Sequence, residues 1–201
     1  MPLRKRVAIL ISGRGSNMSA LIEAARQPGY PAQIVGVISN RADAEGLKTA
    51  QNLGLSTTVH SLKDYPDKTA TDEAITRTLE SWDVDMVCLA GFMRILSAEF
   101  TLAWQGRLMN IHPSLLPKFK GTDTHRRAIE AGEKTHGCTV HFVVPELDAG
   151  PVIAQSSVPV LPGDTPETLA QRVLSAEHRL YPQALKQVLA HADTGELQLA
   201  G

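Results

Sequence analysis

Three short runs in the first half of the chain are apolar at nearly every position: Val7 to Ile11, Ile34 to Ser39 and Met86 to Leu89. A strand wetted on one face alternates between apolar and polar residues, whereas one covered by helices on both faces does not. These runs therefore predict buried parallel strands. Between them, Asn17 to Arg26, Ala44 to Leu53 and Lys68 to Trp82 are rich in helix formers and long enough to act as right-handed crossovers. The alternation predicts an α/β fold with a doubly wound, mostly parallel sheet, Rossmann-like in plan.

After Asn110 the rhythm changes. His136 to Val143 and Gly150 to Gln155 are two strand-like runs separated by a short Pro/Asp/Gly connection, which predicts antiparallel C-terminal additions to the sheet. A final helix is expected after Thr165, with Thr165 as its N-cap and Pro166 at the first helical position. Leu169, Val173, Ala176 and Leu180 fall on one face of it, Pro182 is expected to kink or interrupt it, and Gly195 lies beyond its end. With no repeat, low-complexity stretch or linker in the pattern, the expectation is a single domain spanning residues 1–201.

Composition narrows the class of partner. The chain of 201 residues carries 20 Lys and Arg against 21 Asp and Glu, a formal net charge of −1. Nucleic-acid binding draws on clustered positive charge, and the densest basic cluster here is Arg4-Lys5-Arg6, which reads as a solvated strand entrance. No nucleic-acid partner is expected. The longest apolar runs fall far short of the roughly 20 residues of a membrane helix, and the apolar stretch behind the basic N-terminus runs into a Gly-rich loop rather than a cleavage site. No membrane partner is expected, and the chain reads as cytoplasmic. Cys88 and Cys138 lie far apart within apolar segments, so they read as buried thiols of a reducing compartment.

Four segments carry the chemistry. Ser12-Gly13-Arg14-Gly15-Ser16-Asn17 follows the first strand and leads into a helical stretch. A helix N-terminus reached through glycines offers unpaired N–H groups and the positive end of the helix dipole to a phosphate. Met18 stands where a dinucleotide fingerprint requires Gly, and no Gly-Lys-Ser/Thr follows, so a monophosphate fits better than ATP or NAD. The competing reading is a tight turn capped by Ser16 or Asn17. In Asn110-Ile111-His112-Pro113-Ser114-Leu115-Leu116-Pro117, residues two apart share a face of an extended chain, so Asn110 and His112 project together. Pro113 keeps His112 out of the α region. An amide donor beside an imidazole suits acyl transfer, while a hydrogen-bonded structural histidine is the alternative.

The acidic loop Glu146-Leu147-Asp148-Ala149-Gly150-Pro151 has the composition of an ordinary turn, and its role depends on whether the fold brings Asp148 to His112. His141, on the strand face of Thr139 and Val143, reads either as pointing toward the site or as a satisfied structural histidine, the second being the commoner state. The remaining histidines, His60, His125, His136, His178 and His191, show no metal-ligand spacing with carboxylates or thiols, so no metal is expected. Ala90 to Leu96 reads either as the lining of an apolar pocket beneath Arg94 or as core.

Taken in order, Ile11 to Asn17, Leu89 to Leu96, Asn110 to Pro117, and His141-Phe142-Val143 with Glu146 to Pro151 resemble the motifs of the folate-dependent formyltransferase family. The resemblance runs from about Arg6 to Pro182. It implies 10-formyltetrahydrofolate as co-substrate and formyl donor, with Asn110, His112 and Asp148 as the catalytic residues. The Gly-Ser-Asn loop resembles the branch whose acceptor is the amino group of glycinamide ribonucleotide, in purine biosynthesis. By that resemblance Gly15, Ser16 and Asn17 hold the ribotide phosphate, Lys68 stands near it in place of an Arg, and Glu177 meets the ribose. Arg94, Ile95 and Leu96, together with Asn110 and Asp148, would contact the folate. The implied partners are small-molecule substrates, and the chain is expected as a monomer or homodimer.

Other formyl handlers compete. A methionyl-tRNA formyltransferase is expected to need an additional tRNA-contacting domain, and a formyltetrahydrofolate hydrolase an additional N-terminal one, for which this chain has no room. A sugar-nucleotide formyltransferase should lack the Gly-Ser-Asn loop. A non-catalytic ligand-binding module would leave the pairing of Asn110 with His112 unexplained.

Overall fold

The computed structural model describes residues 4–192. The elements follow as β1 (Lys5–Ile11), α1 (Ser16–Ala25), β2 (Ala32–Ser39), α2 (Glu45–Asn52), β3 (Ser56–Val59), a 3-10 turn (Leu62–Asp64), α3 (Lys68–Ser81), β4 (Met86–Leu89), α4 (Ala98–Ala103), β5 (Leu108–His112), α5 (Thr124–Glu130), β6 (Thr135–Phe142), β7 (Val152–Pro159) and α6 (Pro166–Ala192). The strands make a mixed, mostly parallel α/β fold with an antiparallel pair at the C-terminal end. The chain divides into two compact units between Met109 and Asn110.

In the first unit the strand order is β3-β2-β1-β4, with parallel pairing of β1 to β2, β1 to β4 and β2 to β3. The chain moves outward from β1 to β2 and β3, then returns through α3 to place β4 on the other side of β1. That reversal is the switch point of a doubly wound sheet. The loops after β1 and β4 therefore flank it. Val7 through Ile11 are fully buried, as the unbroken apolar run requires. Gly36 in β2 is needed because a Cβ there would stand 2.3 Å from the Trp82 ring.

The basic cluster at the start of β1 is exposed at Arg4 and partly exposed at Lys5 and Arg6, as the solvated reading expects, and it also binds main chain. The Arg4 guanidinium donates to the carbonyls of Ala25 and Ala32, and Arg6 Nη2 donates to the Trp82 carbonyl at 2.7 Å. These side chains satisfy main-chain oxygens at element ends that have no ladder partner.

In the second unit the order is β5-β6-β7, with β6 and β7 antiparallel and a register irregularity between Val140 and His141. Gly137 lets the two strands approach, since a Cβ there would lie 2.1 Å from the Ser156 carbonyl oxygen. α6 starts as expected: Thr165 Oγ1 accepts from Thr168 N at 3.3 Å while Thr168 Oγ1 accepts from Thr165 N at 3.0 Å. Leu169, Val173, Ala176 and Leu180 are all buried. Pro182 does not interrupt the helix, which continues to Ala192. Proline withholds one bond, to the His178 carbonyl, and the burial of Ala184, Leu185, Val188 and Leu189 beyond it carries the apolar face onward. Gly195 lies outside the described residues. No helix among the described residues is long and apolar enough to cross a membrane.

Candidate active site

Asn110 and His112 sit on one face of β5, as the two-residue period requires, and His112 is buried to 6% exposure. The turn that follows is held from several sides. Thr139 Oγ1 donates to the Ser114 carbonyl at 2.7 Å, Ser114 Oγ to the Lys118 carbonyl at 2.6 Å, and Thr124 Oγ1 to the Pro113 carbonyl at 2.6 Å. This turn carries Phe119 and Gly121 back to the histidine and its carboxylate.

The carboxylate is Asp148. Its side chain is 8% exposed, and its Oδ2 lies 3.4 Å from His112 Nδ1 while accepting the Gly121 N–H at 2.9 Å. The question left open by spacing alone is thereby answered: the acidic loop does meet His112. Asp148 adopts a left-handed backbone, φ 48°, which Asp tolerates better than most residues. Gly150, two residues on, packs so tightly that a Cβ would stand 1.8 Å from the Phe142 carbonyl oxygen.

The hydrogen-bond partners settle the roles of the ring nitrogens. His112 Nε2 lies 3.0 Å from the Phe119 carbonyl, which only accepts, so Nε2 carries a proton there. Nδ1 lies 3.4 Å from Asp148 Oδ2, within ion-pair distance of the carboxylate. His141 completes the group, which is the site-facing one of the two readings that its strand face allowed. Its Nδ1 donates to the Phe142 carbonyl at 2.8 Å, which leaves Nε2 of the neutral ring as an acceptor toward Asn110 Nδ2 at 3.3 Å. Burial holds the His141 pKa below its ordinary value, favouring this neutral form. Asn110 therefore points its NH2 group at His141, with a second N–H left for another acceptor. Asp148 Oδ1 stands 3.8 Å from His141 Nε2, so four side chains converge.

Behind them His125 and His136 meet edge to face at 5.2 Å, and Phe119 packs edge-on to His136 at 5.9 Å. Burial, and next the neighbouring His125, push His136 down to about 4. Glu177 is buried on α6 close enough to Cys138 to help burial push that thiol up to about 12.

In the first unit, the loop after β1 reaches α1 through Gly15, which has φ 74° and serves as N-cap without any side-chain hydrogen bond. Ser16 and Asn17 are thus the first residues of the helix, not its caps, and no acidic residue occupies the first turn. The capped-turn reading is set aside, and the helix presents an N-terminus suited to an anion. Gly13 accepts from Gly46 N at 3.0 Å, and a Cβ on Gly46 would lie 2.6 Å from Ile11 Cδ1, so α2 packs close against the loop. Lys68 is the first residue of α3, whose N-cap is Asp67.

The loop after β4 lies against the loop after β1, since Met93 N donates to Ser12 Oγ at 2.7 Å. Arg94 is paired with buried Asp72, Ile95 is 65% exposed and Leu96 is buried.

With this geometry in view, the likeness to known proteins is informative. A family model described as formyl transferase matches residues 5–185. The chain belongs to the formyl transferase family. Among other formyl transferases, the phosphoribosylglycinamide formyltransferase of Escherichia coli is 45% identical over 88% of this chain and 83% of its own length. The crystal structure of phosphoribosylglycinamide formyltransferase from Brucella melitensis has a TM-score of 0.90 at 53% identity, covering 98% of this chain and all of that one. The trifunctional purine biosynthetic protein adenosine-3 of Gallus gallus is 51% identical over 93% of this chain, which spans 19% of that longer protein.

Proposed function

We propose that this protein moves the formyl group of 10-formyltetrahydrofolate to the amino group of glycinamide ribonucleotide, giving the formylated ribotide and tetrahydrofolate on the purine route to IMP. It does so as a single formyltransferase domain in the cytoplasm. The observation that carries the reading is the convergence of Asn110, His112 and Asp148 in a chain 45% identical to a phosphoribosylglycinamide formyltransferase over most of both lengths.

The ribotide amine attacks the formyl carbon, its C–N bond forms, and the carbonyl oxygen takes up negative charge. The amine then loses a proton, the folate N10 gains one, and the C–N10 bond breaks. No covalent link to the protein is required, so catalysis rests on placement and on charge stabilisation. The Asn110 N–H not given to His141 donates to the oxyanion. The Phe119 carbonyl marks the acceptor position in front of His112 Nε2, and the oxyanion takes that position when substrate binds. Asp148, aligned on Nδ1 and steadied by the Gly121 N–H, balances the charge of the imidazolium and orders the proton transfer.

Gly15, Ser16 and Asn17 receive the ribotide phosphate at the α1 N-terminus, with Lys68 adding charge and Glu177 meeting the ribose. Arg94, Ile95 and Leu96, with Asn110 and Asp148, receive the folate.

The test is a spectrophotometric assay with glycinamide ribonucleotide and a 10-formyl folate analogue, run with and without ribotide and repeated on His112→Ala. Ribotide-dependent deformylation abolished by the substitution supports the assignment. Deformylation without ribotide would make the protein a hydrolase. Absence of both would rule out this acceptor and direct attention to amino-sugar nucleotides.

A further inference from the structure

Asp72, on α3, is 3% exposed and takes no part in the assignments above. Both of its carboxylate oxygens serve the loop after β4. Oδ1 accepts from the Arg94 guanidinium, and Oδ2 accepts the Ser97 backbone N–H at 2.7 Å. Ser97 then caps α4, its Oγ accepting from Phe100 N at 3.2 Å. At the other end Met93 N is bound to Ser12 Oγ. The stretch from Met93 to Ser97 is therefore fastened at both ends and, through Arg94, in its middle.

Exposed and buried side chains alternate along this segment. Met93 and Ile95 are 79% and 65% exposed, and large apolar side chains on an unsupported loop would be free to fold back. Arg94 itself is nine-tenths buried, its guanidinium 5.6 Å from the Phe92 ring centre, with Nε and Nη1 lacking hydrogen-bond partners among the described residues. Asp72 is the acceptor that holds it. Burying a carboxylate and a guanidinium together costs both their hydration, and the pair adds little net stability over an apolar pair of the same shape. Here the pair also binds main chain, since the second Asp72 oxygen accepts the Ser97 N–H.

We infer that Asp72 is a positioning residue for the formyl donor: by holding the Arg94 side chain and the Ser97 N–H, it fixes the main chain of Arg94 to Leu96 in the form that receives the folate. This rests on the assignment of Arg94, Ile95 and Leu96 to the folate under Proposed function.

The experiment is a double-mutant cycle of Asp72→Asn, Arg94→Met and the double variant, read by steady-state kinetics in both substrates. Asp72→Asn keeps an oxygen for the Ser97 N–H but turns an NH2 group toward Arg94, so that both the charge and the hydrogen bond to the guanidinium are lost. It is expected to raise the KM for the formyl donor about tenfold, the size of a typical coupling between contacting residues, with kcat and the ribotide KM within about twofold. In the Arg94→Met background the same change should add nothing, because the group through which Asp72 acts is gone. If Asp72→Asn fails to fold by circular dichroism, Asp72→Glu, which keeps the charge but displaces it, takes its place and should raise the donor KM to a smaller extent.

An unchanged donor KM, equal rises in both KM values, or an undiminished effect in the Arg94→Met background would each overturn the assignment of Asp72 while leaving the function standing. Absence of formyl transfer by the unsubstituted protein would instead overturn the function, and the positioning role with it.

Discussion

His112 has both ring nitrogens engaged, one by the Phe119 carbonyl and one by Asp148, so its contribution is set by geometry as much as by chemistry. His112→Ala and Asp148→Ala are expected to lower kcat by orders of magnitude while leaving ribotide affinity nearly unchanged, because neither belongs to the phosphate loop. Steady-state kinetics with a ribotide binding titration checks this, and full turnover in either variant would remove that residue from the mechanism. Asn110→Ala deletes one oxyanion donor and should cost about 10²–10³ in kcat. A different consequence attaches to His136, whose pKa burial lowers from 6.5 to about 4. Between those values the unfolded chain binds a proton that the folded one does not, so stability is full above about pH 6.5 and falls as the pH drops toward about 4. The Tm measured across that window should decline, and His136→Phe should decline less steeply; parallel slopes would clear His136 of the effect. Asn110, His112 and Asp148 stood out as candidates because each sits in a short motif, and the strand face of His141 allowed it to point toward the site. The bond from Asn110 to His141 was not legible, since it joins positions 31 residues apart and no local pattern reports it.

At the scale of the element, α1 shows how backbone conformation decides between two readings of one motif. Ser16 and Asn17 are good capping residues by composition, yet Gly15 in the left-handed conformation takes the cap position and leaves the helix end without a side-chain partner. Asn17→Ala is therefore expected to raise the KM for the ribotide more than that for the folate; equal effects in two-substrate kinetics would count against the loop. The connection between β6 and β7 carries the opposite kind of constraint. Gly150→Ala would force a Cβ to 1.8 Å from the Phe142 carbonyl oxygen, so main chain must move, at a cost of about 1–3 kcal/mol for overpacking. Because Asp148 lies two residues away, the denaturation midpoint and kcat should fall together. Helices α4 and α5 and the short β3 went unread in the sequence: six, seven and four residues long, they show too few periods to stand out from loop. Pro182 does not interrupt α6, since the apolar face that sustains the helix lies on both sides of the proline.

For the whole molecule, the proposed small-molecule acceptor makes a prediction about global stability. Ligand binding to the folded state alone adds RT ln(1 + [L]/Kd), about 2.7 kcal/mol at one hundred times Kd. Saturating glycinamide ribonucleotide should therefore raise the Tm by roughly 5–10 °C for a chain of this size, and a scan with an amino-sugar nucleotide should leave it unmoved. A shift of the reverse preference would reassign the acceptor.

The sequence by itself determined the α/β class, the buried parallel strands, the antiparallel pair near the C-terminus and the face shared by Asn110 and His112. All of these follow from spacing along the chain, because side-chain direction repeats every two residues in a strand and every 3.6 or so in a helix. Tertiary structure decided the rest: that Asp148 reaches His112, that His141 orients Asn110, that Gly15 rather than Ser16 or Asn17 ends the helix, and that Asp72 holds Arg94. Each of those depends on where distant segments meet or on a single backbone torsion, and neither leaves a period in the sequence.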